Sequence, residues 1–205
     1  GYSAVNRGYA GDTPNIADVL PGVSSLTNLT IRQVMDYQKG GAKQNDVSDQ
    51  RIQDKPAPKG HGFLAVGRYQ FIPGTLKWVV SKTNDIDTSS RFNEEVQDVL
   101  GTALILYKQP TMGKYILGMH PADQPGADHG LQMAVQQLAS EWSSQPIAFN
   151  ENNNYRGQSK YAGDGAGNAA HTPIEESEKQ VRAAFSAVKQ SGAVQALLRR
   201  KGYIQ

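Results

Sequence analysis

Ser90-Arg91-Phe92-Asn93-Glu94-Glu95-Val96-Gln97-Asp98-Val99-Leu100-Gly101-Thr102-Ala103-Leu104-Ile105-Leu106-Tyr107 is the stretch that decides the fold class. Phe92, Val96, Val99, Leu100, Ala103, Leu104 and Tyr107 recur at i, i+3, i+4 and i+7, the signature of a helix with one buried side. No comparable run alternates with a period of two, so the spacing predicts a mainly α chain.

The same reading extends in both directions. Thr30 is placed to cap a helix carrying Ile31, Val34, Met35 and Gln38 on one side, ended by Gly40-Gly41. Pro73-Gly74 opens another through Leu76, Trp78, Val79 and Val80, because proline near a helix start costs no hydrogen bond. A short helix is expected over Met112–Leu117, and a longer one over 128–143 with Leu131, Val135, Leu138 and Trp142. Thr172-Pro173-Ile174-Glu175 has the form of a capping box, opening a helix with Ile174, Val181, Phe185 and Val188. A final helix is expected from Gly192 to Lys201. Residues 1–28 are rich in turn formers and read as loop with at most a short hairpin, while 41–60 and 144–171 read as long polar loops. No boundary divides these elements, so residues 1–205 are expected to form one domain with a single core.

Composition narrows the function classes. Lys and Arg number 21 against 19 Asp and Glu, and a net charge of +2 is too small to make nucleic acid the expected partner. With no cysteine, disulfide frameworks, cysteine zinc sites and thiol catalysis are excluded. No run of about 18 apolar residues exists, so no membrane-spanning helix is expected. The start, Gly1-Tyr2-Ser3-Ala4, has neither the basic nor the apolar region of a signal peptide. His61, His120, His129 and His171 lack metal-ligand spacing, and Gly163-Asp164-Gly165-Ala166-Gly167-Asn168 fits neither a phosphate loop nor an EF-hand, so no metal and no cofactor are expected.

Two places carry chemistry. Glu141-Trp142 ends a helix, and a carboxyl against an aromatic wall can serve as a general acid. In Ala65-Val66-Gly67-Arg68-Tyr69-Gln70-Phe71-Ile72-Pro73, Gly67 permits close backbone approach. Tyr69 offers a flat face with a polar tip, and Gln70 offers a donor and an acceptor that match an N-acetyl group. A buried core segment with an aromatic plug accounts for the same residues.

This segment resembles the "AVGRYQ-F/I-IP" stretch of lambda-type phage endolysins and phage-derived muramidases of the lysozyme superfamily. Four others follow the family's order: Gly1–Gly8, Leu29-Thr30 through Val34-Met35 and Gln38, Leu138-Ala139-Ser140-Glu141-Trp142-Ser143-Ser144, and Gly157-Gln158-Ser159-Lys160-Tyr161-Ala162-Gly163-Asp164-Gly165. The resemblance implies a lysozyme-like α fold with a groove for alternating N-acetylglucosamine and N-acetylmuramic acid. It makes peptidoglycan glycan strands the expected partner, Tyr69 and Gln70 groove residues, and Tyr2, Asn6, Arg7, Tyr155 and Gln158 further contacts. The setting it implies is the bacterial cell wall or periplasm, reached by a phage-encoded, virion-associated or secreted protein. The family's catalytic glutamate is expected just upstream of Gly1, with Glu141 the fallback within this sequence, so the chain is expected to bind glycan and cleave it poorly. The implied reaction is cleavage of the MurNAc–GlcNAc bond. With one glutamate as general acid, either water or the sugar's own 6-hydroxyl is the nucleophile, the latter giving a 1,6-anhydro product. Competing readings are a non-catalytic wall-binding or virion structural module with the same groove, and an unrelated helical partner-binding protein.

Overall fold

Thr30 and Gln33 close the start of a helix on each other. The Thr30 hydroxyl accepts from Gln33 N (3.2 Å), and Gln33 Oε1 accepts from Thr30 N (2.8 Å), a reciprocal cap that uses two otherwise orphaned donors. The helix so begun is α2 (Ile31–Gly41), with Ile31, Val34 and Gln38 buried and Met35 half-buried, the expected side and the expected glycine end. Its first amides find partners outside the helix: Ile31 N donates to Ser90 O (2.9 Å) and Arg32 N to Thr88 O (2.8 Å). The computed structural model describes residues 1–7, 14–41, 63–118, 129–163, 168–190 and 199. The expected loop at 41–60 except Gly41, the helix expected from Gly192 to Lys201 except residue 199, His61, His120 and the Gly-rich residues 164–167 lie outside them.

The chain is mainly helical, with one small two-stranded antiparallel sheet among the described residues. It packs as two compact units, residues 1–104 and 105–205. In the first, β1 (Val5–Asn6) pairs antiparallel with β2 (Ala65–Val66), Val5 facing Val66 and Asn6 facing Ala65. Residues 1–28 were expected to be loop, and here the structure corrects the sequence reading: α1 (Ile16–Val19) and a 3-10 turn (Leu26–Asn28) lie among them. Asn15 caps Ala17 N and Ser25 caps Thr27 N, and Ile16, Val19 and Leu26 are buried. Single turns of this kind are held by caps and packing, without a repeat that periodicity could detect. Helix α3 (Pro73–Val80) starts at its proline as predicted and packs against α2. Phe63, Phe71, Phe92, Leu76 and Leu100 fill the core, Phe71 and Phe92 edge to face at 6.3 Å.

Helix α4 (Glu94–Lys108) begins two residues after Phe92, the first residue of the stripe, because Asn93 caps it through Val96 N (2.9 Å), and Phe92 is buried ahead of the cap. Its buried side is also rotated. Val99 and Tyr107 stand 44% and 45% exposed, while polar Gln97 is fully buried with Leu100, Gly101, Ala103 and Leu104.

In the second unit α5 (Pro110–Ile116), α6 (His129–Glu141) and α7 (Ile174–Gln190) pack together. Met112, Tyr115, Leu131, Ala134, Val135, Ala148, Ile174 and Val181 form their common core, with Leu138 and Phe185 against its edge. The described residues of the expected loop at 144–171, namely 144–163 and 168–171, form turns, bends and isolated bridges with no helix. They are pinned by pairing of Pro146 with Ser159 and by a tight turn in which Glu151 faces Asn154. Asn152 and Asn153 sit at φ +51° and +65°, a left-handed pair that asparagine tolerates better than most residues.

Candidate functional site

The turn Gly67–Gln70 is the tip of a tight hairpin: Val66 and Phe71 exchange backbone bonds (Val66 N to Phe71 O, 3.2 Å; Phe71 N to Val66 O, 2.9 Å). Two of its residues sit in the left-handed region, Gly67 at φ +73° and Gln70 at φ +51°. For Gln70 this conformation costs energy that glycine would not incur. Its side chain offsets part of the cost by donating from Nε2 to Gly67 O (2.8 Å). The amide's carbonyl oxygen accepts no hydrogen bond among the described residues.

Helix α4 holds this turn at three points. Gln97 Oε1 accepts from Arg68 N (3.0 Å), and its Nε2 donates to Tyr2 O (3.0 Å) and Phe92 O (2.9 Å), so one buried amide ties the turn to the N-terminal segment. Asp98 accepts from Tyr69 Oη (2.8 Å to Oδ1) and from Tyr2 Oη (2.9 Å to Oδ2, 3.1 Å to Oδ1). Gly101, three residues after Asp98, leaves room for the Tyr69 ring, since a Cβ there would lie 2.5 Å from the ring. Arg68 completes the cluster, with its guanidinium 5.1 Å from the Tyr2 ring centre and Nη1 donating to Tyr2 Oη (2.6 Å). Burial, reinforced by the bond to Asp98, pushes the Tyr69 hydroxyl up to about 12.

Of the residues expected to contact ligand, Tyr2, Tyr69 and Gln70 are thus brought into one cluster. Asn6 and Arg7 follow in the same N-terminal segment, both half-buried, Asn6 within β1 opposite Ala65. Asp98, Gln97, Arg68 and Gly101 were not singled out as site residues from the sequence. The available signal was the polar pair Gln97-Asp98 interrupting an apolar stripe one turn before a glycine.

Tyr155 and Gln158 belong to the second unit and share a turn of their own. Gln158 Oε1 accepts from Tyr155 N (2.7 Å), Gln158 N donates to Tyr155 O (2.9 Å), and Gly157 takes φ +91°. Tyr155 stands 66% exposed there. The loop is fastened to the end of α6 by Tyr161 Oη on Ser140 O (2.6 Å) and by Lys160, which reaches both Ser140 Oγ (3.1 Å) and Glu151 (3.0 Å).

Glu141, the fallback acid, has a structural assignment. Its side chain is 8% exposed, Oε1 accepts from Lys108 Nζ (2.9 Å) and Oε2 from Gln109 Nε2 (3.1 Å). It joins the end of α6 to the junction of α4 and α5. Among the described residues no cluster of three potential metal ligands occurs, and no helix is long and apolar enough to cross a membrane. Comparison with protein-family models, with curated proteins and with solved structures gives no match.

Proposed function

We propose that the protein binds peptidoglycan glycan at the Gly67–Gln70 turn and acts as a muramidase or lytic transglycosylase on the MurNAc–GlcNAc bond. The observation that carries this reading is the Gln70 carbonyl, which has no hydrogen-bond partner among the described residues while its amide nitrogen is fixed on Gly67 O, in the same turn as Tyr69. A fixed acceptor in one turn with a tyrosine suits an acetamido N–H and a pyranose ring. The order of the five resembling segments supports the same substrate class.

A second reading, a wall-binding module without cleavage, is favoured by a separate observation. Asp98 beside the turn and Glu141 in the second unit both have their two carboxylate oxygens occupied by structural bonds. Neither stands ready to protonate a leaving oxygen, a contribution worth typically about 10²–10⁴-fold in rate.

Mass spectrometry of purified peptidoglycan after incubation, with calorimetric titration of chitotetraose, tests both. Reducing-end products indicate a muramidase and 1,6-anhydro ends a transglycosylase. Binding without products leaves the wall-binding module. Absence of both binding and products overturns the proposal. Products abolished by Glu141→Gln in a stably folded variant would make Glu141 the acid.

A further inference from the structure

We propose that Asp98 is a positioning residue for the Gly67–Gln70 turn, acting on bound glycan through Tyr69 and Tyr2 without touching it. This rests on the glycan-binding reading above. An ionised carboxylate can only accept, so both tyrosine hydroxyls must direct their protons at Asp98. That fixes the rotation of two phenols whose Cα atoms lie far apart in sequence, at positions 2 and 69, against one side chain on α4. Hydrogen bonds to a charged acceptor are the strong ones, and two phenols on one carboxylate constrain each other.

The rest of the α4 surface fits this role. Gln97 holds the turn's backbone at Arg68 N, and its Oε1 would lie 2.3 Å from a Cβ at Gly67, so the turn sits flush against the helix. Gly101 seats the ring whose hydroxyl Asp98 holds. Arg68, itself bonded to Tyr2 Oη, is set by the same carboxylate at one remove. Asp98 therefore determines where the Tyr69 face lies relative to Gln70, whose side-chain oxygen accepts no hydrogen bond among the described residues. A ligand that spans both feels any rotation of the ring as lost fit.

The test is a double-mutant cycle with Asp98→Asn and Tyr69→Phe, read by chitotetraose titration. Asparagine keeps the shape but presents a donor to one tyrosine oxygen, and phenylalanine keeps the ring on Gly101 while removing only the hydroxyl. Each single variant should weaken binding about tenfold, as expected for one charge-assisted hydrogen bond. The double variant should be no weaker than Asp98→Asn alone, because the Tyr69 bond is already lost in that variant. The absorbance titration of Tyr69 should also move to lower pH in Asp98→Asn while circular dichroism shows the variant still folded over that pH range, which separates the lost bond from global unfolding. Fully additive losses, or unchanged affinity in Asp98→Asn, overturn the positioning role while leaving glycan binding intact. Failure of the unaltered chain to bind chitotetraose overturns the glycan reading and this proposal with it.

Discussion

Gly101→Ala separates the tertiary role of α4 from its local preferences. On an exposed helix the change should stabilise by about 1 kcal/mol, since alanine is the better helix former. Here the new Cβ would lie 2.5 Å from Cε1, 2.6 Å from Cζ and 2.7 Å from Cδ1 of Tyr69. Carbon atoms pack at about 3.5–4.0 Å, so the ring must retreat by roughly 1 Å. The neighbour is a rigid ring, not the free end of a flexible chain, and its hydroxyl is tied to Asp98 at 2.8 Å. Retreat therefore breaks the bond as well as the packing. Overpacking costs about 1–3 kcal/mol and the bond about 1 kcal/mol at a half-exposed site, against about 1 kcal/mol gained, giving net destabilisation of about 1–3 kcal/mol. Urea unfolding followed by far-ultraviolet circular dichroism measures it. Gly74→Ala in α3 is the control, because nothing lies within 4 Å of its added Cβ. It should be neutral or stabilising by up to about 1 kcal/mol. A Gly101→Ala variant as stable as the control variant would refute the seating of Tyr69 on that glycine.

Two further outcomes follow from the same turn. Gln70→Gly relieves the left-handed strain while losing the bond to Gly67 O, so stability should stay within about 1 kcal/mol of the parent; on the proposed glycan-binding reading, chitotetraose affinity should fall by about 1–3 kcal/mol, and equal affinity in calorimetry would remove Gln70 from the proposed surface. Spectrophotometric titration should show one tyrosine with a midpoint near 12, missing in Tyr69→Phe. Because the folded value lies above the ordinary 10, the native state holds that proton longer than the unfolded chain does. Tyr69's contribution to stability is therefore intact below pH 10 and declines as pH rises from there to about 12, and a contribution growing over that range would contradict the assignment.

The helices were legible where burial repeats every three to four residues. Ile31, Val34 and Gln38, Leu76 and Val79, and Leu131 and Val135 all lie inside as their spacing requires. The side of α4 was only partly legible. Val99 and Tyr107 belong to the apolar stripe yet face outward, whereas Gln97 is buried because its amide substitutes for missing backbone partners at Tyr2 O and Phe92 O. Such a role depends on a contact 95 positions away and leaves no local trace. The same holds for Asp98, whose partners are 96 and 29 positions distant. It holds too for Glu141, whose adjacent tryptophan suggested a catalytic acid while Lys108, 33 positions earlier, gives it a structural partner. That Tyr69 and Gln70 share one turn was legible because Gly67 marks a place where the chain can reverse.

Gln38 couples the stability of two elements. Buried within α2, its Nε2 donates to both Leu64 O and Phe71 O at 2.8 Å, on the two arms of the hairpin that carries the Gly67–Gln70 tip. Neither carbonyl is satisfied by this donor until a helix formed 26 and 33 positions earlier has docked. The docked hairpin is therefore held by α2 as well as by its own backbone bonds. Its closure belongs to the same cooperative step as the docking of α2, and slow amide exchange in the two elements should rise and fall together.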